Sequence, residues 1–284
     1  FIRTMNKILT GALLLLCSFS AAAQTPRDSI AFATAEWRTA DLGGGAECCY
    51  AQIDMFGSRQ SISVATYPGR KFTTSIVHLD RRAESTSDLG KAAGADIAVN
   101  GSYFNVKTFE PVTFVLLDRK IVGRTTPEET SRTNGVIAFK DRKGRRMEIF
   151  PCDTTQYADV ARRYRSALAA GPVLIDGGKV VEYTSGSSFY TRRHPRTLIG
   201  KRADGTVVMA VIDGRFKGRG DGATIAETAY IARQLGLTEA LNLDGGGSST
   251  LWTAQEGVLN HPYDNRRFDH EGERGVPNCI VVRR

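Results

Sequence analysis

"ALNLDGGGSSTLW", residues 240–252, joins one apolar strand to another apolar segment through an acid, three glycines and three hydroxyls. A plain two-residue hairpin turn needs neither three consecutive glycines nor the run Ser248, Ser249 and Thr250 behind them. Alternation through "EALNLD" (239–244) puts Asn242 and Asp244 on one strand face and Leu241 and Leu243 on the other. Such a polar face costs burial energy unless it lines a cleft or is fully hydrogen-bonded. Gly245, Gly246 and Gly247 tolerate positive φ, so their N–H groups can converge into an anion nest beside the Ser248 and Ser249 hydroxyls. The stretch is not a P-loop, because the lysine and the glycine spacing are missing. It is not a nucleophile elbow, because no Gly-x-Ser-x-Gly occurs in it.

Three other apolar strands end in an amide or acid before glycine: "AVNG" at Asn100, "LIDG" at Asp176 and "VIDG" at Asp213. Asp-Gly and Asn-Gly are preferred turn residues, so only the residues beyond each glycine separate them. Asp176 returns at once into "KVVEY" and reads as a hairpin. Asp213 runs into "GRFKGRGDGAT", a glycine-rich basic loop that ends at a helix start and suits a ligand. Asn100 leads into Gly101-Ser102-Tyr103-Phe104, which suits either a sugar face or an aromatic core corner. In "RRHPRTLIG" (192–200), Arg196 opens a strand with a fork of donors that fits phosphate, and Arg215 is its natural partner. Arg192, Arg193, Arg266 and Arg267 read as solvated charge. Thr224 and Glu227 have capping-box spacing, which accounts for that acid.

Further strands are expected at 60–67, 72–79, 96–100, 112–117, 135–139, 146–150, 206–213 and 279–282. Helices are expected at 87–93, at 154–168 with Asp153 as N-cap, and at 224–235 with Gly236 as its C-terminal stop. Strands outnumber helices and many joins are hairpins. The expected architecture is one α+β domain, with large mixed or antiparallel sheets and a few packed helices.

Residues 1–23 read as a secretory signal peptide, cleaved near Ala23: Lys7 precedes an apolar run that ends in small residues. A lipid anchor at Cys17 is disfavoured by Leu16 before it. The expectation is therefore an exported periplasmic or extracellular protein, without stable membrane insertion. Residues 24–99 form a strand-rich N-terminal part, and 100–284 carry the candidate site. Without Arg3 and Lys7 the 38 basic residues become 36 against 30 acidic ones, a net charge of +6. That spread-out excess favours a phosphorylated or acidic ligand and argues against nucleic acid. Cys48, Cys49, Cys152 and Cys279 form an even set, so disulfides are expected in an oxidising compartment. No zinc-type spacing is present; a divalent cation shared by Asp213 and Asp244 is left open, and no cofactor is assigned.

The segments "NGSYF" (100–104), "GPVLIDGG" (171–178), "HPRTLIG" (194–200), "VIDGR" (211–215), "EALNLDGGGSSTLW" (239–252) and "GVPNCIVV" (275–282) together resemble the phosphodiester glycosidase family. They keep one order over about two thirds of the chain. The resemblance implies hydrolysis of a sugar 1-phosphodiester to free sugar and a phosphomonoester. Asp244 and Asp213 become the catalytic acids under that reading. Asn100, Arg196, Arg215, Gly245, Gly246, Gly247, Ser248 and Ser249 become the phosphate-binding set, with Tyr103 and Asn242 at the sugar. Two alternatives stand beside it: a non-catalytic glycan or phosphoglycan binder, and a glycoside hydrolase for a non-phosphorylated substrate.

Overall fold

Strand Ser58–Pro68 is buried along almost its whole length, and its two faces feed two different cores. Ala65 and Tyr67 point into one, Ile62 and Val64 into the other. Period-two alternation of apolar residues on both faces requires a layer on each side. The computed structural model describes residues 26–284 and supplies both layers. The signal-peptide segment, 1–23, and Cys17 lie outside the described residues.

The central layer is an eight-stranded sheet in the spatial order Arg38–Gly43, Ala46–Met55, Ser58–Pro68, Thr206–Ile212, Arg196–Arg202, Leu237–Asn242, Val173–Asp176, Lys179–Val180. One face packs on helix Ile225–Gln234, through Ile225, Ala229, Tyr230, Ile231 and Ala232 against Ile62, Val64, Leu198 and Ala210. The other face meets two five-stranded sheets. One runs Lys120–Gly123, Val115–Leu117, Ser166–Ala170, Gly135–Phe139, Met147–Pro151; the other runs Gly257–Val258, Leu251–Thr253, Ile97–Asn100, Asn278–Arg283, Thr73–His78. Helices Tyr157–Arg163 and Thr86–Ala92 cover their far sides. The result is an α/β/β/α sandwich whose named strand pairs are all antiparallel. Of the expected mixed or antiparallel sheets, the antiparallel form is found. The N-terminal strand Ser58–Pro68 pairs directly with Thr206–Ile212, so both parts of the chain build one sheet.

Two elements differ from the sequence reading. The helix expected over 154–168 is only a 3-10 turn and helix Tyr157–Arg163. Tyr164 turns extended, and Ser166–Ala170 becomes the central strand of a five-stranded sheet. Its small apolar residues fit a helix face or a buried strand equally, and cross-strand pairing decides. The Arg38–Gly43/Ala46–Met55 hairpin is not among the expected elements: its outer strand is mostly polar and largely exposed, and adjacent Cys48, Cys49, Tyr50 and Ala51 break the alternation of its inner one.

The expected disulfides are not formed. All four described cysteines are free thiols. Cys48 and Cys49 are strand neighbours and therefore face opposite cores, while Cys152 and Cys279 sit in two further clusters. Burial pushes the Cys48 and Cys152 thiols up to about 11 and Cys49 to about 12. No helix among the described residues is long and apolar enough to cross a membrane.

Reductant should therefore leave the Tm within about 1 °C of its value without reductant, since loss of a structural bridge costs about 2–5 kcal/mol. Alkylation under denaturing, non-reducing conditions should label Cys48, Cys49, Cys152 and Cys279. A mass lacking two of those labels would show a bridge.

Candidate active site

Residues 243–250 carry the chain from the eight-stranded sheet, at Asn242, to the neighbouring sheet, at Leu251. The strand ends two residues earlier than the alternation suggested, so Asp244 lies in the crossing rather than in the ladder. A buried amide holds it there. Asn100 Nδ2 donates to the Asp244 carbonyl at 2.7 Å, while Asn100 Oδ1 accepts from Thr197 Oγ1 at 2.9 Å and the Thr250 N–H at 3.1 Å. The Asp244 N–H in turn donates to the Gly101 carbonyl at 3.0 Å. Asn100 is 0% exposed and reaches three segments, so the structure places it beneath Asp244 as its anchor.

The glycines serve close approach more than an open nest. A Cβ on Gly245 would stand 2.6 Å from the Pro195 carbonyl oxygen, and one on Gly247 2.3 Å from an Arg274 nitrogen. Gly246 has φ +64°. Within residues 245–249, the Gly245 N–H bonds Asp244 Oδ1, Gly246 bonds the Pro195 carbonyl, and Ser248 and Ser249 bond Gly245 and Gly246. The hydroxyls behave differently. Ser248 Oγ, Ser249 Oγ, Thr250 Oγ1 and the Asn242 Oδ1 are buried without a protein partner. Buried polar atoms are rarely left so, and four of them fall within nine residues of this loop.

Arginines ring this loop. Arg215 lies against Gly246 with its guanidinium 5.0 Å from the Tyr263 ring centre. Arg274 lies over Gly247 and is held by Asp264 through bonds of 2.8 and 2.9 Å. Arg132 stands 4.5 Å from the Tyr103 ring centre and is paired with Glu129. Burial pushes the Asp244 carboxyl up to about 6. The Ser248 hydroxyl (close, but without a well-formed bond), the Gly245 N–H and the charges of Arg132 and Arg274 oppose it. Arg132 and Arg274 were not found from sequence, because only folding brings residues so distant in the chain to residue 244.

Asp213 is held by a second set of donors. It is 1% exposed; Oδ2 accepts from Ser61 Oγ at 2.6 Å and Oδ1 from Asn260 Nδ2 at 3.1 Å and the His261 N–H at 2.9 Å. His261 Nδ1 lies 2.9 Å from Oδ2, and its ring stacks on Phe268 with centroids 3.7 Å apart. With Nδ1 as donor, Nε2 is left as an acceptor. Asn260 also donates to the Ser249 carbonyl, linking this dyad to the loop behind Asp244. Sequence reasoning missed His261; the only signal was a second His-Pro dipeptide, in "NHP". Both Asp213 oxygens are engaged by protein donors. No group of three His, Cys, Asp or Glu side chains among the described residues converges as a metal site.

Arg196 is 2% exposed, and its fork is taken by the Ala223, Phe189 and Arg192 carbonyls at 2.8, 2.6 and 3.2 Å. Burial lowers it to about 10. It braces the loops rather than facing the cleft. Tyr103 donates to the Gly171 carbonyl, and Asn242 Nδ2 bonds the Tyr103 hydroxyl and that same carbonyl. Both side chains lie under the site, at 4% and 1% exposure. Glu227 caps its helix as expected, but Arg193, read as solvated, is clamped on it at 2.6 Å. Asp176 is an exposed hairpin corner.

Three comparisons bear on this arrangement. A family model described as phosphodiester glycosidase matches residues 93–283. The mouse N-acetylglucosamine-1-phosphodiester alpha-N-acetylglucosaminidase is 25% identical over 203 residues, 67% of this chain and 37% of that protein. A prophage-derived protein of Bacillus subtilis is 39% identical over 90 residues, 32% of this chain and 13% of its own length. The chain thus spans well under half the length of either relative. Among solved structures, the zebrafish catalytic domain of the same enzyme, auto-inhibited by its pro-peptide, superposes with TM-score 0.64 at 17% identity, covering 88% of each chain. That likeness carries the fold.

The raised Asp244 carboxyl has a measurable consequence. Its value of about 6 lies above the ordinary 3.8, so ionisation opposes folding. The penalty is absent below about pH 4, grows from there to pH 6 and stays constant above. It is at most about 3 kcal/mol, and less where solvent reaches the half-buried group. Asp244→Asn should therefore raise the Tm by a few degrees at pH 7.5, with the gain vanishing near pH 4. An equal or lower Tm at pH 7.5 would show that Asp244 is not held against its charge. Asn100→Ala should lose about 2–4 kcal/mol in denaturant unfolding, because it strips partners from the Thr197 hydroxyl and Thr250 N–H.

Proposed function

The chain belongs to the phosphodiester glycosidase family, and from that membership and the arginine-ringed Asp244 we propose that it hydrolyses a sugar 1-phosphodiester. The C1–O bond breaks, water supplies the new C1–OH, and the other product is a phosphomonoester. The observation that carries the reading is a carboxyl near pKa 6 set among Arg132, Arg215, Arg274 and unpartnered hydroxyls.

A phosphomonoester leaves as an anion, so charge neutralisation matters more than protonation of the departing oxygen. Arg215 and Arg274 take the phosphate oxygens, with Ser248 and Ser249 as hydroxyl donors. Asp244, ionised above pH 6, faces the anomeric carbon, stabilises developing positive charge there and takes the proton of the attacking water. Asn100, Tyr103, Asn242 and Arg196 work from beneath as positioning residues. The Asp213–His261 dyad fixes the far wall of the loop through Asn260. The apolar run within residues 1–23 supports an exported protein.

Purified protein should release free sugar and phosphomonoester from a sugar 1-phosphodiester. Asp244→Asn should reduce kcat at least about 1,000-fold, with the fold retained by circular dichroism. Arg215→Ala and Arg274→Ala should each lower kcat/KM about 10–100-fold. Activity should rise with pH through about 6 as Asp244 loses its proton, and Arg274→Ala should move that limb upward by removing a charge that favours the carboxylate. Tight binding with no product across several sugars would leave a binding protein instead.

A further inference from the structure

Against Arg274 lies a cleft of about 490 Å³ lined by Ala83, Phe104, Val106, Phe109 and Gly275, with Arg274 the one charged residue in that lining. The Phe104 and Phe109 rings lie 6.4 Å apart and inclined by 30°. Val106 is 60% exposed, one of four large exposed apolar side chains among the described residues. Phe109 is held at φ +57°, an unfavourable conformation for a bulky residue, by its N–H bond to the Asn105 carbonyl at 2.7 Å. A volume of this size falls in the range of small-molecule pockets.

Arg274 joins the two places. Asp264 holds its Nε and Nη2, while the guanidinium lies over Gly247 and also lines the apolar cleft. A ligand that fits both is a phosphate bearing an apolar group, with oxygens on Arg274 and the apolar part between the two phenylalanines. We propose that this cleft is the aglycone site and that the phosphomonoester released is that of an apolar alcohol, an alkyl or isoprenoid-like chain. This rests on the glycosidase reading for its orientation, with the sugar at Asp244 and the alcohol beyond Arg274. A hydrophilic sugar alcohol would leave the cleft's apolar wall wet and gain nothing from it.

Octyl phosphate, below its micellar concentration, and methyl phosphate serve as product probes in calorimetric titration. Octyl phosphate should bind the wild type at least about tenfold more tightly. Phe109→Ala should remove most of that preference and leave methyl phosphate unchanged. Val106→Gln, at an exposed position that does not endanger folding, should reduce the preference at least about threefold. Arg274→Ala should weaken both ligands. Equal affinities, no binding of either probe, or a preference that survives both cleft variants overturns the assignment. Because binding needs no turnover, a wild type that prefers octyl phosphate yet hydrolyses no sugar 1-phosphodiester overturns the glycosidase reading instead.

Discussion

The arrangement depends on one buried amide. Asn100 ends a strand of one sheet, takes the Thr197 hydroxyl from the next, and holds both ends of the crossing through the Asp244 carbonyl and the Thr250 N–H. Two sheets packed face to face are free to slide over an apolar interface, because that attraction has no direction. Hydrogen bonds from one planar amide fix the register. Every element of the candidate site is then placed relative to that point: Asp244 above it, the hydroxyls of residues 248–250 beside it, and Tyr103 and Asn242 below.

Under the proposed reading, a carboxylate next to a site for phosphate sets an electrostatic problem that the protein answers in two ways. Burial weakens the negative charge of Asp244 by raising its pKa. Arg132, Arg215 and Arg274 supply positive charge around the same loop. Two of them are tied to their own acids, Glu129 and Asp264, which fixes the guanidinium planes and spares each a search of rotamers. Preorganised charge of this kind is most effective where the surroundings are already half dry.

Much of this is legible in the sequence because it is local. The Asp153 and Thr224 caps, the Asp176 hairpin and the central strands come from turn chemistry and period-two alternation, and the structure contains them. Asp244 stands out for the same reason, since the glycines beside it exceed what a turn uses. Where long side chains end cannot be read. Arg196 and Arg215 look alike in sequence. Burial turns Arg196 onto three carbonyls, while Arg215 stays at the loop. His261 gives no periodic or motif signal, and its partnership with Asp213 exists only after both strands are in place. The same holds for residues 166–170, whose apolar pattern serves two periods until neighbouring strands choose one.

The three glycines do a different job in the structure from the anion nest that the sequence suggests. A nest of amides explains an anion without any packing argument, yet most of these amides are engaged within the loop or by Pro195. Gly245 is needed because the Pro195 carbonyl passes too close for a Cβ, and Gly247 because Arg274 rests on it. Absent side chains are what let a guanidinium and a strand end come within reach of Asp244. With most of the amides engaged, the proposed recognition falls to the arginines and to hydroxyls that have no protein partner. These groups can turn toward a ligand in a way backbone N–H groups cannot. The loop is thus a rigid floor carrying adjustable donors, and its glycines keep the floor low.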